Sequence, residues 1–131
     1  MNRFRITVSV VLLLAAAGAA RADPIAYPCD SVVLTGRAVN ETFTPMPDPS
    51  DILGHGRIDF DVNVQRVIYG RESRKIVPAR FIAHTRLNRY VNFVFVLRAA
   101  PDGRYDMIDG QVLAAGQTQA QLAPHCTMPE R

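Results

Sequence analysis

Gly56 to Gly70 reads G-R-I-D-F-D-V-N-V-Q-R-V-I-Y-G. Ile58, Phe60, Val62 and Val64 are apolar at every second position, and Asp59, Asp61, Asn63 and Gln65 fill the positions between. Period two predicts a strand with one dry face and one wet face. After Arg66 the phase slips, and Val67 and Ile68 are both apolar. A slip of one residue exchanges the two faces, so a bulge or bend is predicted near Arg66. The strand is long enough to bend across a small barrel.

Outward from this stretch the chain continues in the same manner. Ser31 to Phe43 is the preceding strand, with the β-rich run Val32, Val33, Leu34 and a glycine, Gly36, where a strand bends or admits another backbone. Thr44 to His55 carries Pro45, Pro47 and Pro49, which is incompatible with a central strand and predicts a stiff loop. Gly70 to Ser73 is a short polar turn. A third strand follows from Arg74 to His84, with Val77, Ala79, Phe81 and Ala83 on one face and Ile76, Pro78, Arg80, Ile82 and His84 on the other. Pro78 cannot donate to a ladder, so an edge or bulge belongs there. Tyr90 to Arg98 is apolar on both faces and should be covered on both sides. Pro101-Asp102-Gly103 is a turn joining it in a hairpin to Arg104–Leu113. Gln117 to Leu122 is expected to form a short helical turn, stopped by Pro124. The fold class is therefore all-β, a small five-stranded OB-like barrel with a short C-terminal helical turn.

The first 22 residues stand apart from the fold. Arg3 and Arg5 precede an apolar run from Ile6 to Ala20, and Ala20-Arg21-Ala22 is a small-x-small cleavage site. Residues 1–22 are read as a secretory signal peptide, leaving one exported domain over 23–131, periplasmic or secreted, with no membrane span after cleavage. The 131-residue chain has a formal net charge of +3, all of it from Arg3, Arg5 and Arg21. Without them, 12 basic residues face 12 acidic ones, so net charge is no argument for a polyanionic partner. Cys29 and Cys126, near the two ends of the mature chain, are expected to pair in a disulfide.

The stretches V-V-L-T-G-R, I-D-F-D-V-N-V-Q-R-V-I-Y-G and N-F-V-F-V-L, within Ser31–Arg98, resemble the OB-fold barrels of the netrin-like, tissue metalloproteinase-inhibitor superfamily. In that family a V-x-G-x-V strand is followed by a long strand ending in x-V-x-x-G and later by an apolar strand. The resemblance implies an OB barrel that binds other proteins. Two features depart from it. The inhibitors of that family offer a cysteine at the mature N-terminus to their target's metal, whereas the mature start here is Asp23 and Cys29 lies inside. The family's several disulfides are reduced here to at most one.

Candidate chemistry is sparse. His55, His84 and His125 lack the spacing of a metal site, so neither metal nor cofactor is expected. No G-x-S-x-G occurs. Asp59 and Asp61 share one face and could act as acid and base, but cross-strand pairing with the Arg80–His84 stretch is the plainer role. Phe60, Phe81, Phe93 and Phe95 fall on core faces, which removes the stacking platform a nucleic-acid-binding barrel needs, so no nucleic acid is expected. The basic middle of the chain supplies the candidate binding surface: Arg80, His84, Arg86 and Arg89, with Arg86 and Arg89 as a rim for an acidic partner. The functional expectation is an exported, non-catalytic binding or accessory module for a protein or envelope component. The alternative is a small periplasmic enzyme using Asp59, Asp61 or His84.

Overall fold

Alternation from Ile58 to Val64 builds the middle of a long strand whose inward residues Ile58, Phe60 and Val62 are buried. In the computed structural model, described over residues 26–113 with Cys126 and Met128, this strand is the second of five. They are β1 (Ser31–Pro45), β2 (Gly56–Tyr69), β3 (Ile76–Ala83), β4 (Phe93–Ala99) and β5 (Tyr105–Val112). The hydrogen-bonded order is β1-β2-β3-β5-β4, closed into a barrel by β4 returning to β1. The expected leader at 1–22 and helical turn at 117–122 lie outside the described residues.

The phase slip near Arg66 is a pair of bulges. Register steps from Val33↔Tyr69 to Leu34↔Val67, and from Thr35↔Arg66 to Gly36↔Val64, leaving Ile68 and Gln65 as the extra residues. The consequence is the predicted exchange of faces: Val64 packs on the barrel interior, and Ile68 on an outer cluster. A further irregularity, between Val39 and Thr42 on β1, has no counterpart in the sequence reading. There Asn40 takes φ 56°, a conformation asparagine tolerates better than most residues, and its amide donates to Asp61 at 3.0 Å.

The interior holds Leu34, Ala38, Ile58, Phe60, Val62, Val77, Ala79, Phe93, Phe95, Leu97 and Tyr105. Phe60 meets Phe81 edge-on at 5.6 Å and Phe95 at 5.7 Å, the tilted arrangements aromatic quadrupoles favour. Val94 and Val96, on the other face of β4, are equally buried. They are covered by Tyr27, Val33, Ile68, Tyr69, Leu113 and Cys126, which explains why β4 is apolar on both sides. Cys29 and Cys126 are bonded, with Cα atoms 4.8 Å apart. The Tyr69 hydroxyl donates to the Cys29 carbonyl at 3.0 Å and fixes this outer layer to the end of β2.

Strand boundaries shift from expectation by one to three residues. β1 continues through Thr44 and Pro45, which pair with Arg57 and Gly56, so the first proline of the expected loop lies in the strand, beyond the Ser31–Gly36 part that β4 covers and therefore on an edge where its missing N–H is tolerated. β4 begins at Phe93 rather than Tyr90, because Asn88 takes the next amides: its side chain accepts from Tyr90 N–H at 2.9 Å and its carbonyl from Val91 N–H at 3.4 Å. β3 begins at Ile76 rather than Arg74, because the Glu72 carboxylate accepts from the Arg74 backbone at 2.8 Å and holds that residue in the turn. The connection from β3 to β4 is irregular, and its Leu87 and Val91 pack on the interior cluster. The Leu87 N–H is held by Glu41 at 3.0 Å.

At Gly36 β1 lies hard against the β2 backbone. A Cβ there would lie 2.4 Å from the Asn63 carbonyl oxygen, so Gly36→Ala must push the strands apart. A loss of roughly 1–3 kcal/mol, the usual cost of overpacking, is expected in a urea melt. Cys126→Ser removes a crosslink spanning 97 residues and should cost roughly 2–5 kcal/mol, read as a lower melting temperature with the β-type far-ultraviolet spectrum retained.

Candidate functional site

Strand direction sorts the loops into two ends. At one end lie the start of β1, the β2–β3 connection and the β4–β5 turn; at the other lie loop 46–55, which joins β1 to β2, and connection 84–92, which follows β3. The expected binding residues divide between the wall of the barrel and this second end.

Arg80 is on the wall and is tied down. Its Nε donates to Asp106 and its Nη1 to Asp102, both at 2.7 Å. Asp59 is the cross-strand neighbour of Arg80 in the register, but its carboxylate is held instead by Arg57 at 2.8 Å and Arg104 at 2.9 Å. Asp61 accepts from Asn40. The expected opposite-charge ladder therefore exists with different partners. No described hydrogen bond or ion pair joins Asp59 or Asp61 to His84.

His84, Arg86 and Arg89 sit together on connection 84–92, all exposed. Arg86 makes no ion pair among the described residues. Arg89 lies over the Tyr90 ring, its guanidinium carbon 4.9 Å from the centroid, and donates to the Tyr90 hydroxyl at 2.7 Å. Leu87 between them points inward, so burial of one apolar residue fixes where the two arginines emerge.

The neighbouring loop 46–55 is built by side-chain turns. Asp48 accepts from the Ser50 amide at 2.9 Å and the Ser50 hydroxyl at 2.7 Å. Asp51 accepts from the backbone of Leu53 at 3.0 Å and of His55 at 2.6 Å. The Asp51 carboxylate also meets His55 Nδ1 at 2.9 Å, and these hydrogen bonds, that of the His55 ring foremost, hold its pKa below the ordinary aspartate value. Met46 N–H closes the loop on the His55 carbonyl at 3.3 Å. Such Asx turns give a proline-rich loop one conformation. That conformation turns Ile52 and Leu53 outward, 95% and 60% exposed. The prolines of this segment predict a stiff loop, and apolar spacing alone assigns no role to Asp51, Ile52, Leu53 or Tyr90. The spacing D-P-S-D-I-L-G-H, with acceptors two residues before the amides they hold, was the available signal.

The two segments touch through their histidines. Gly56 pairs with Ala83 in the β2–β3 ladder, so His55 and His84 occupy the next cross-strand positions. Their rings stand nearly perpendicular with centroids 5.2 Å apart.

The opposite end carries a shallow depression of about 590 Å³ lined by Val67, Gly70, Arg71, Glu72, Ser73 and Arg74. Its chemistry is internal. Glu72, whose side chain is 5% exposed, accepts from the Arg74 guanidinium at 2.8 Å and from the Tyr105 hydroxyl at 2.9 Å. It locks the β2–β3 turn to the start of β5. Among the described residues, no helix is long and apolar enough to cross a membrane. Comparison of the chain with protein-family models, with curated proteins and with solved structures gives no match.

The hydrogen bond from Arg74 is the main reason the Glu72 pKa falls from its usual 4.5 to about 2. A pKa depressed in the folded state adds stability that is complete above the unfolded value and is lost as pH falls through the folded one. Glu72 therefore stabilises the protein fully above about pH 4.5, and this contribution declines between there and about pH 2. Glu72→Gln should cost roughly 1–3 kcal/mol at neutral pH and make the acid limb of the stability profile shallower, as measured by urea unfolding across that range.

Proposed function

We propose that the protein is an exported, non-catalytic binding module that seats an exported protein or envelope component on the end of the barrel formed by loop 46–55 and connection 84–92. The observation that carries this is a loop fixed by its own aspartates in a conformation that faces Ile52 and Leu53 to solvent. Apolar side chains held outward in a rigid loop serve no packing purpose within the domain. At the same end of the barrel stand the cations Arg86 and Arg89, with the Tyr90 ring under the latter. Apolar anchors bordered by Tyr and Arg are the composition of a recognition surface, with charge on its rim. Arg86 and Arg89 suit a partner that is acidic around an apolar cleft.

Export is supported by the Cys29–Cys126 disulfide, which belongs in an oxidising compartment, together with the leader-like residues 1–22. The closed five-strand order supports an OB-like assignment, and with it the likeness to netrin-like barrels. The enzymatic alternative is weaker: Asp59 is held by Arg57 and Arg104 and Asp61 by Asn40, and no described hydrogen bond or ion pair joins either to His84.

The test is capture of partners from the envelope fraction of the source cells by the immobilised protein. Arg86→Glu with Arg89→Glu should leave stability within about 1 kcal/mol and slow capture most at low salt. Ile52→Ser with Leu53→Ser should leave the on-rate and speed release. Capture that is unchanged by both pairs, at every ionic strength, moves the binding surface elsewhere.

A further inference from the structure

The histidine pair at the base of this surface has a chemistry that its sequence spacing conceals. We propose that His55 and His84 form a two-histidine site for a borderline divalent metal ion, Cu(II) most tightly and Zn(II) or Ni(II) less so, with Asp51 as the positioning carboxylate.

The backbone places the pair. Gly56↔Ala83 ends the β2–β3 ladder, and the next positions on each side are His55 and His84. Cross-strand neighbours have Cβ atoms about 4.5–5.5 Å apart, within the span of a chelate. Two imidazoles that ligate one ion through nitrogens about 2 Å from it have ring centres roughly 5 Å apart. The observed separation is 5.2 Å, at an interplanar angle of 85°.

The donor atoms are free to serve. His55 directs Nδ1 to Asp51 Oδ2 at 2.9 Å, so its proton sits on Nδ1 in the neutral ring and Nε2 keeps its lone pair. A carboxylate on the far nitrogen is the usual second partner of a metal-bound histidine, because it fixes the tautomer and raises ligand basicity. Asp51 is itself fixed by the Leu53 and His55 amides, so the orienting group is rigid. The His84 ring makes no hydrogen bond among the described residues and is exposed. His55 is partly exposed, so water or a partner's side chain can complete the coordination. Among the described residues no three His, Cys, Asp or Glu side chains form a metal-binding group, which makes this an open, two-ligand site rather than a closed structural one. Imidazole donors favour the later first-row ions, and the Irving–Williams order puts Cu(II) first.

The site adjoins the proposed binding surface but does not depend on it, since metal binding is measured with the ion alone. The untagged full chain is titrated with Cu(II), and separately with Zn(II), by calorimetry near neutral pH, and the Cu(II) form is examined by electron paramagnetic resonance. One ion per chain is expected, with superhyperfine coupling to two nitrogens. His55→Ala and His84→Ala should each weaken binding at least about tenfold and leave coupling to one nitrogen, and Asp51→Asn should weaken it by about tenfold through its partner. His125→Ala should change neither affinity nor spectrum. Far-ultraviolet circular dichroism confirms that each variant is folded. The proposal fails if the folded His55→Ala, His84→Ala double variant binds either ion as the parent does, or if His125→Ala alone abolishes binding. It fails equally if the parent binds neither ion.

Discussion

β1 is hydrogen-bonded along both edges, to β2 through most of its length and to β4 over Ser31–Gly36, and the barrel closes because of it. Both neighbours meet at Gly36, which pairs with Val64 on one side and Phe93 on the other. A side chain there has no room against the Asn63 carbonyl, so this point of the wall requires glycine. Bulges on β2 at Gln65 and Ile68 supply the extra curvature. They also deliver Ile68 and Tyr69 to the outer face, where these join Tyr27, Leu113 and Cys126. Closure and the outer layer therefore have a common cause.

The seam opposite β1 is thin. β3 and β5 pair over only Ala79↔Tyr105 and Arg80↔Asp106. Arg80 reinforces this contact from outside, bonded to Asp106 across the seam and to Asp102 in the turn before β5. Isolated exposed ion pairs contribute little, but one guanidinium shared by two carboxylates at a short seam limits how far the strands can part. Arg80 thus acts as a clasp. Its charge is already neutralised, which separates it from Arg86, still available to a partner.

The sequence made the interior legible because period two is insensitive to partner identity. Ile58, Phe60, Val62, Val77, Ala79, Phe93, Phe95 and Leu97 could be assigned inward without knowing which strand lay beside which. The bulge near Arg66 was legible for the same reason, as a break in that period. Ion-pair partners were not, since Asp59 faces Arg80 in register yet bonds Arg57 and Arg104, a choice set by side-chain reach. The bulge at Asn40 leaves no trace in apolar spacing. The His55–His84 contact was hidden for a different reason: metal motifs are recognised by short separations in one segment, and this pair depends on the β2–β3 register.

The two ends of the barrel divide stability from display. At the first end, Glu72 accepts from both Arg74 and Tyr105, and the disulfide and the Tyr69 hydroxyl hold Cys29 nearby. Their polar groups are consumed internally, so that end offers little to a ligand despite its depression. At the second end the aspartates are spent on holding backbone amides, and the side chains that they position face outward: Ile52, Leu53 and the His55 ring. Leu87 and Glu41 do the same for Arg86 and Arg89. A surface whose polar groups hold its own backbone has already lost the conformational freedom that binding would otherwise remove. In the proposed function, affinity would draw on that preorganisation. The hydrogen-bonded turns of loop 46–55 thus bear on the proposed recognition as much as the exposure of Ile52 and Leu53 does.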